Sequence, residues 1–177
     1  KEELKKVSPA DANCCSKRAF LEAVIESCEA VITYARRYSE LAKKEAELCV
    51  DSVRKQELLT ISENCMKVPE NGAESFYEAC QSFWFIQMLL QVESSGHSIS
   101  PGRFDQYMYP YFKKDYESGK ITLEFAQELM DCIWIKLNDI NKVRDQASAE
   151  GFAGYSMFQN LIAGGQTKEG LDATNEL

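Results

Sequence analysis

Glu93-Ser94-Ser95-Gly96-His97-Ser98-Ile99-Ser100-Pro101-Gly102-Arg103-Phe104-Asp105-Gln106-Tyr107-Met108-Tyr109-Pro110-Tyr111 is the stretch on which the fold turns. Two glycines and a proline between Gly96 and Gly102 forbid a regular helix there, so this half predicts a shaped loop or a short strand. The other half, from Phe104 to about Glu117, can form an aromatic-rich helix. Tyr107, Tyr109 and Tyr111 are expected to pack against neighbours, and Arg103 with Asp105 to form an internal ion pair rather than a catalytic dyad.

Working outward, Phe76 to Val92 is apolar nearly all round, which predicts a buried helix. Asn71-Gly72 marks the turn before it, and Ser75 with Glu78 has the spacing of a capping box. Further upstream, Phe20, Val24, Cys28, Val31, Ala35, Tyr38, Ala42 and Cys49 recur at helical spacings, giving a long amphipathic helix from Ser16 to about Val50. A second helix, about Arg54 to Lys67, places Leu58, Ile61 and Cys65 on one face and stops before Pro69; the sequence leaves open whether the two join across Asp51-Ser52. Downstream, Ser118-Gly119 turns the chain and Thr122 caps a helix to about Val143, with Phe125, Leu129, Cys132, Ile133, Ile135 and Ile140 as its apolar face. Met157 to Ala163, closed by Gly164-Gly165, is a candidate buried parallel strand.

The fold class expected is therefore mainly α with one or two short strands, helical over 1–150 and with the strand near 157–163. A lone buried strand needs partners for its backbone groups. That need, and an ending in Asp172-Ala173-Thr174-Asn175-Glu176-Leu177, make the chain read as a single segment of something larger.

Composition narrows the class. With 45% hydrophobic and 27% charged residues the chain reads as a soluble globular protein. Its 20 basic and 28 acidic residues give a formal charge of -8, and such a surface should repel nucleic acid and anionic membranes. No apolar run approaches the roughly 18 to 20 residues that span a bilayer, so the expected compartment is the cytoplasm. The seven cysteines lack the short paired spacings of metal sites and read as reduced thiols.

His97 is the chain's one histidine, and it stands beside Ser98 in the glycine-bounded loop. Imidazole next to hydroxyl can hold a substrate hydroxyl or orient a base. On spacing alone, a structural histidine that caps a turn or satisfies buried carbonyls is the favoured reading. Cys80 lies 17 residues before His97, but no signature of a Cys-His hydrolase accompanies it. There is no phosphate-binding loop, dinucleotide fingerprint or paired-ligand metal motif.

The run Glu93 to Tyr111 closely resembles the signature of glycyl radical enzymes of the pyruvate formate-lyase superfamily, above all the branch of B12-independent glycerol and propanediol dehydratases. Phe76 to Gln87, Met157 to Gly165 and Asp172 to Leu177 resemble the same family. The resemblance implies a segment of a ten-stranded α/β barrel wrapped in helices. It implies a lyase in which a stored glycyl radical passes to a cysteine thiyl that abstracts hydrogen from a small polyol, with loss of water or another leaving group. By position, His97 and Ser98 match residues that hold substrate hydroxyls, and Phe104 an aromatic lining the pocket. The implied cofactor is a protein glycyl radical installed by a radical S-adenosylmethionine activase, with no cofactor bound by this segment itself. The implied partners are a small-molecule substrate, the remainder of the enzyme chain, the activating enzyme and a second copy in a homodimer, with no nucleic acid and no membrane.

The thiyl-cysteine loop and the terminal glycine motif are not found in these 177 residues. No catalytic residue is therefore assigned here, and the isolated chain is expected to be inactive. Two alternatives stay open: a non-catalytic helical binding or scaffold module derived from such an enzyme, and a glycyl radical lyase for choline, hydroxyproline or another substrate.

Overall fold

A computed structural model of the chain describes residues 1–96, 98–141, 145–152 and 158–177, with the backbone alone at 152. Seven helices occur among them: α1 (Glu2–Lys5), α2 (Cys14–Leu48), α3 (Ser52–Lys67), α4 (Phe76–Glu93), α5 (Phe104–Glu117), α6 (Leu123–Asp139) and α7 (Gln146–Phe152). The chain divides into two compact units, Lys1–Met66 and Lys67–Leu177.

In the first unit the long helix forms as its periodicity predicts, but α2 and α3 do not join. Cys49 takes an extended conformation, and Asp51 Oδ1 accepts the Val53 and Arg54 amides at 2.8 and 3.0 Å, giving α3 a new start. The buried seam of α2 is Ala35, Ser39, Ala42 and Ala46, small residues that allow close approach of α3. Across it the Ser39 hydroxyl donates to the Ser62 carbonyl at 2.7 Å, and the Ser62 hydroxyl to the Ser39 carbonyl at 2.8 Å. Phe20, Val24, Cys28 and Tyr38, expected on the apolar stripe, are exposed.

The second unit carries the larger core. Phe76, Ala79 and Cys80 of α4 meet Phe104, Met108 and Phe112 of α5 and Ala126, Leu129, Ile133 and Leu137 of α6. Burying these side chains is the main driving force for the unit. Both expected caps are present: Ser75 Oγ accepts the Glu78 amide and Thr122 Oγ1 the Phe125 amide, each at 3.2 Å. The Phe76 amide at the open start of α4 donates to the buried carboxylate of Asp115 at 2.7 Å, so the end of α5 caps the start of α4.

Three expectations need correction. α4 is not enclosed all round, since Leu90 and Val92 are 46% and 69% exposed. The face of α6 turned to the core holds Ala126, Leu129, Ile133 and Leu137, whereas Phe125, Cys132 and Ile135 are exposed; α6 ends at Asp139, and Val143 lies outside the described residues. In the expected strand, Met157 lies outside the described residues, and the remainder pairs at one parallel bridge, Gly102 with Leu161. That bridge brings the far end of the unit against the loop that leaves α4.

Candidate functional site

The loop between α4 and α5 departs through residues of left-handed backbone: Ser95 (φ 52°), Gly96 (φ 73°) and Ser98 (φ 54°). Glycine adopts this conformation freely, but each serine there costs about 1 kcal/mol and persists only where its surroundings fix it. His97 lies outside the described residues, so nothing is assigned to its geometry. Ser98 is exposed.

The residues that follow are held by hydrogen bonds from three directions. The Ile99 carbonyl accepts Nε2 of Gln87 at 2.7 Å and Nε2 of Gln91 at 3.0 Å. The Ser100 hydroxyl accepts the Asn160 amide at 3.1 Å and donates to the Phe158 carbonyl at 3.2 Å. At the parallel bridge the Gly102 amide donates to the Asn160 carbonyl (3.2 Å) and the Ile162 amide to the Gly102 carbonyl (2.7 Å). Tyr107 donates its hydroxyl proton to the Pro101 carbonyl at 3.0 Å. A loop anchored at four consecutive residues is a rigid display surface for short polar groups.

Phe104 opens α5 and is 2% exposed, its ring edge-on to Phe83 at 4.9 Å and to Tyr107 at 5.6 Å. It therefore belongs to the wall behind the loop. The expected Arg103–Asp105 pair does not form: the Arg103 guanidinium donates to the Gln166 carbonyl at 2.6 Å, and Asp105 Oδ2 accepts the Gly164 amide at 2.6 Å and Asn175 Nδ2 at 3.2 Å. Beside the loop runs an open groove of about 540 Å³, lined among others by Phe83, Ile86, Leu90, Ile99 and Pro101; neither Ser98 nor Phe104 is among its lining residues.

Burial governs the titratable groups near the site. It pushes the Tyr107 hydroxyl up to about 12, which leaves it a neutral donor. It also pushes the Cys80 thiol up to about 12, with a smaller contribution from Cys132. Such a thiol packs in the core and is not a ready nucleophile. Among the described residues no three His, Cys, Asp or Glu side chains gather to hold a metal ion, and no helix is long and apolar enough to cross a membrane.

The glutamines are what sequence reasoning missed. Gln87 and Gln91 are spaced one helical turn apart on a helix otherwise rich in apolar residues, and that spacing was the available signal.

The pyruvate formate lyase-like family model matches residues 1–177. The chain is 42% identical over 172 residues to the isethionate sulfite-lyase of Bilophila wadsworthia, covering 96% of this chain and 20% of the relative. A Roseburia inulinivorans structure determined for 1,2-propanediol dehydration is 64% identical with a TM-score of 0.94, over 98% of this chain and 21% of that one. The glycerol-bound B12-independent glycerol dehydratase of Clostridium butyricum is 58% identical with a TM-score of 0.92, over 99% of this chain and 22% of that one. The chain thus spans about a fifth of the length of the relatives it matches.

Proposed function

The chain belongs to the pyruvate formate lyase-like family of glycyl radical enzymes, and on that premise we propose that it forms the substrate-holding wall of a dehydratase for glycerol or propane-1,2-diol. One observation carries the reading: over nearly the whole chain, identity is 64% and 58% to the two diol-related structures but 42% to the isethionate enzyme.

In the whole enzyme the family's glycyl radical would supply, by way of a cysteine thiol, hydrogen-atom abstraction from the substrate carbon. The residues of this chain bind and orient. His97 and Ser98 hold the diol hydroxyls, and Phe104, enclosed by Phe83 and Tyr107, backs the wall and keeps it dry. Loop residues anchored along Ile99 to Gly102 support this assignment, because two hydroxyls are held in a reactive geometry only by groups that do not move. Neither radical carrier is assigned to the seven cysteines and nine glycines of this chain, so the 177 residues alone are inactive. A radical S-adenosylmethionine activase, a second copy of the enzyme and a cytoplasmic location complete the reading.

The test is to activate the whole enzyme anaerobically and offer it glycerol, propane-1,2-diol, isethionate and trans-4-hydroxy-L-proline separately. Aldehyde from the diols, with background release from the other two, is the expected outcome. Sulfite release from isethionate in place of diol dehydration overturns the assignment.

A further inference from the structure

Gln87 and Gln91 are 4% and 1% exposed, on the helix that precedes the loop. Burying an amide is unfavourable unless hydrogen bonds replace its contacts with water. Here both amides spend a donor on the same acceptor, the Ile99 carbonyl. Nε2 of Gln87 also donates to Oε1 of Gln159 at 2.9 Å, and Nε2 of Gln159 to the Leu137 carbonyl at 2.9 Å. The chain of amides ties α4, the loop, the 158–162 segment and the end of α6 together.

Among the described residues the oxygen of Gln91 has no hydrogen-bond partner. Turning the amide over would set that oxygen against the Ile99 carbonyl, so the orientation is dictated by Ile99. A methionine of similar length would fill the same space without a bare buried oxygen, and packing therefore does not account for glutamine at this position. Donation to Ile99 does. Two donors converging on one carbonyl fix the plane of the Ile99–Ser100 peptide, next to the left-handed Ser98 whose conformation needs such support.

We propose that Gln87 and Gln91 are positioning residues: their paired grip on the Ile99 carbonyl sets the Ser98 loop in the geometry that binds substrate. The inference rests on the reading of that loop as the substrate wall. Neither glutamine touches substrate.

The experiment uses the whole enzyme, activated anaerobically, with the glycyl radical counted by electron paramagnetic resonance. Gln87→Met and Gln91→Met are compared with the parent singly and together. The double variant is expected to raise KM for propane-1,2-diol about tenfold or more, and each single variant several-fold, at unchanged radical content. General destabilisation would instead lower radical content and kcat while leaving KM in place. Hydrogen exchange at Ser98 to Gly102 is expected to quicken in the same variants. Parental KM together with parental exchange in the double variant overturns the inference. If the parent turns over no diol, the functional reading fails, and exchange alone decides the grip: faster supports it, unchanged overturns it. Should the double variant not fold, the single variants read the same quantities.

Discussion

Asp105 accepts the backbone amide of Gly164 at 2.6 Å, joining the first turn of α5 to a residue 59 positions further along. The same oxygen accepts Nδ2 of Asn175 at 3.2 Å and Nε2 of Gln106 at 3.0 Å, while Gln106 also donates to the Ala173 carbonyl at 2.7 Å. One carboxylate, 4% exposed, thus closes the end of the second unit.

Truncating it leaves the half-buried Gly164 amide without its acceptor and removes one of the two acceptors of Gln106 and of Asn175. Asp105→Ala is expected to destabilise the second unit by about 2 kcal/mol in urea titration, because three hydrogen bonds to one carboxylate are lost together. Asp105→Asn keeps an acceptor of the same shape and is expected to cost about 1 kcal/mol.

Glu78 makes the start of α4 sensitive to acid. Burial pushes its carboxyl up, but the Glu74 amide at 2.7 Å and the Lys67 ammonium at 3.0 Å outweigh burial and hold it below the usual carboxylate value. A folded-state value below the unfolded one stabilises fully above about pH 4.3, and the contribution is lost as pH falls through the folded value. The melting temperature should therefore fall more between pH 7 and pH 3 in the parent than in Glu78→Gln. Equal falls would show that Glu78 does not carry the acid sensitivity.

The buried thiols should be slow to react. Burial raises Cys65 to about 11, and burial with Cys132 raises Cys80 to about 12; the two are 2% and 3% exposed. At pH 8 iodoacetamide is expected to modify both more than about 100-fold slower than a free thiol, and at the free rate in urea. Peptide mass spectrometry after timed quenching reads the difference.

What the sequence made legible was local. The caps at Ser75 and Thr122, the break between Gly96 and Gly102, and the helices that flank it follow from turn chemistry and helical period, and these emerged nearly at their expected bounds. Faces were harder. On α6 the large residues Phe125 and Ile135 stand exposed while Ala126 is buried, because close packing selects by direction and not by size. On α2 the seam includes Ser39, whose hydroxyl is satisfied by Ser62 in another helix. The site divided in the same way. The loop was legible from its glycines and proline, and His97 with Ser98 stays a proposal, but the contacts that fasten its surroundings are long-range: Gln87 reaches Gln159 across 72 positions, and Asp105 reaches Asn175 across 70. No periodicity encodes such pairs.

Whether the loop between α4 and α5 is the diol-holding wall of a radical dehydratase is decided at His97. In the whole enzyme, activated anaerobically to equal glycyl radical content, kcat/KM for propane-1,2-diol is measured for the parent and for His97→Ala. A fall of about 100-fold or more is expected, because a hydrogen-bonding group that holds the substrate hydroxyl is removed. Turnover by His97→Ala within about twofold of the parent, inside ordinary error of such a comparison, would contradict it.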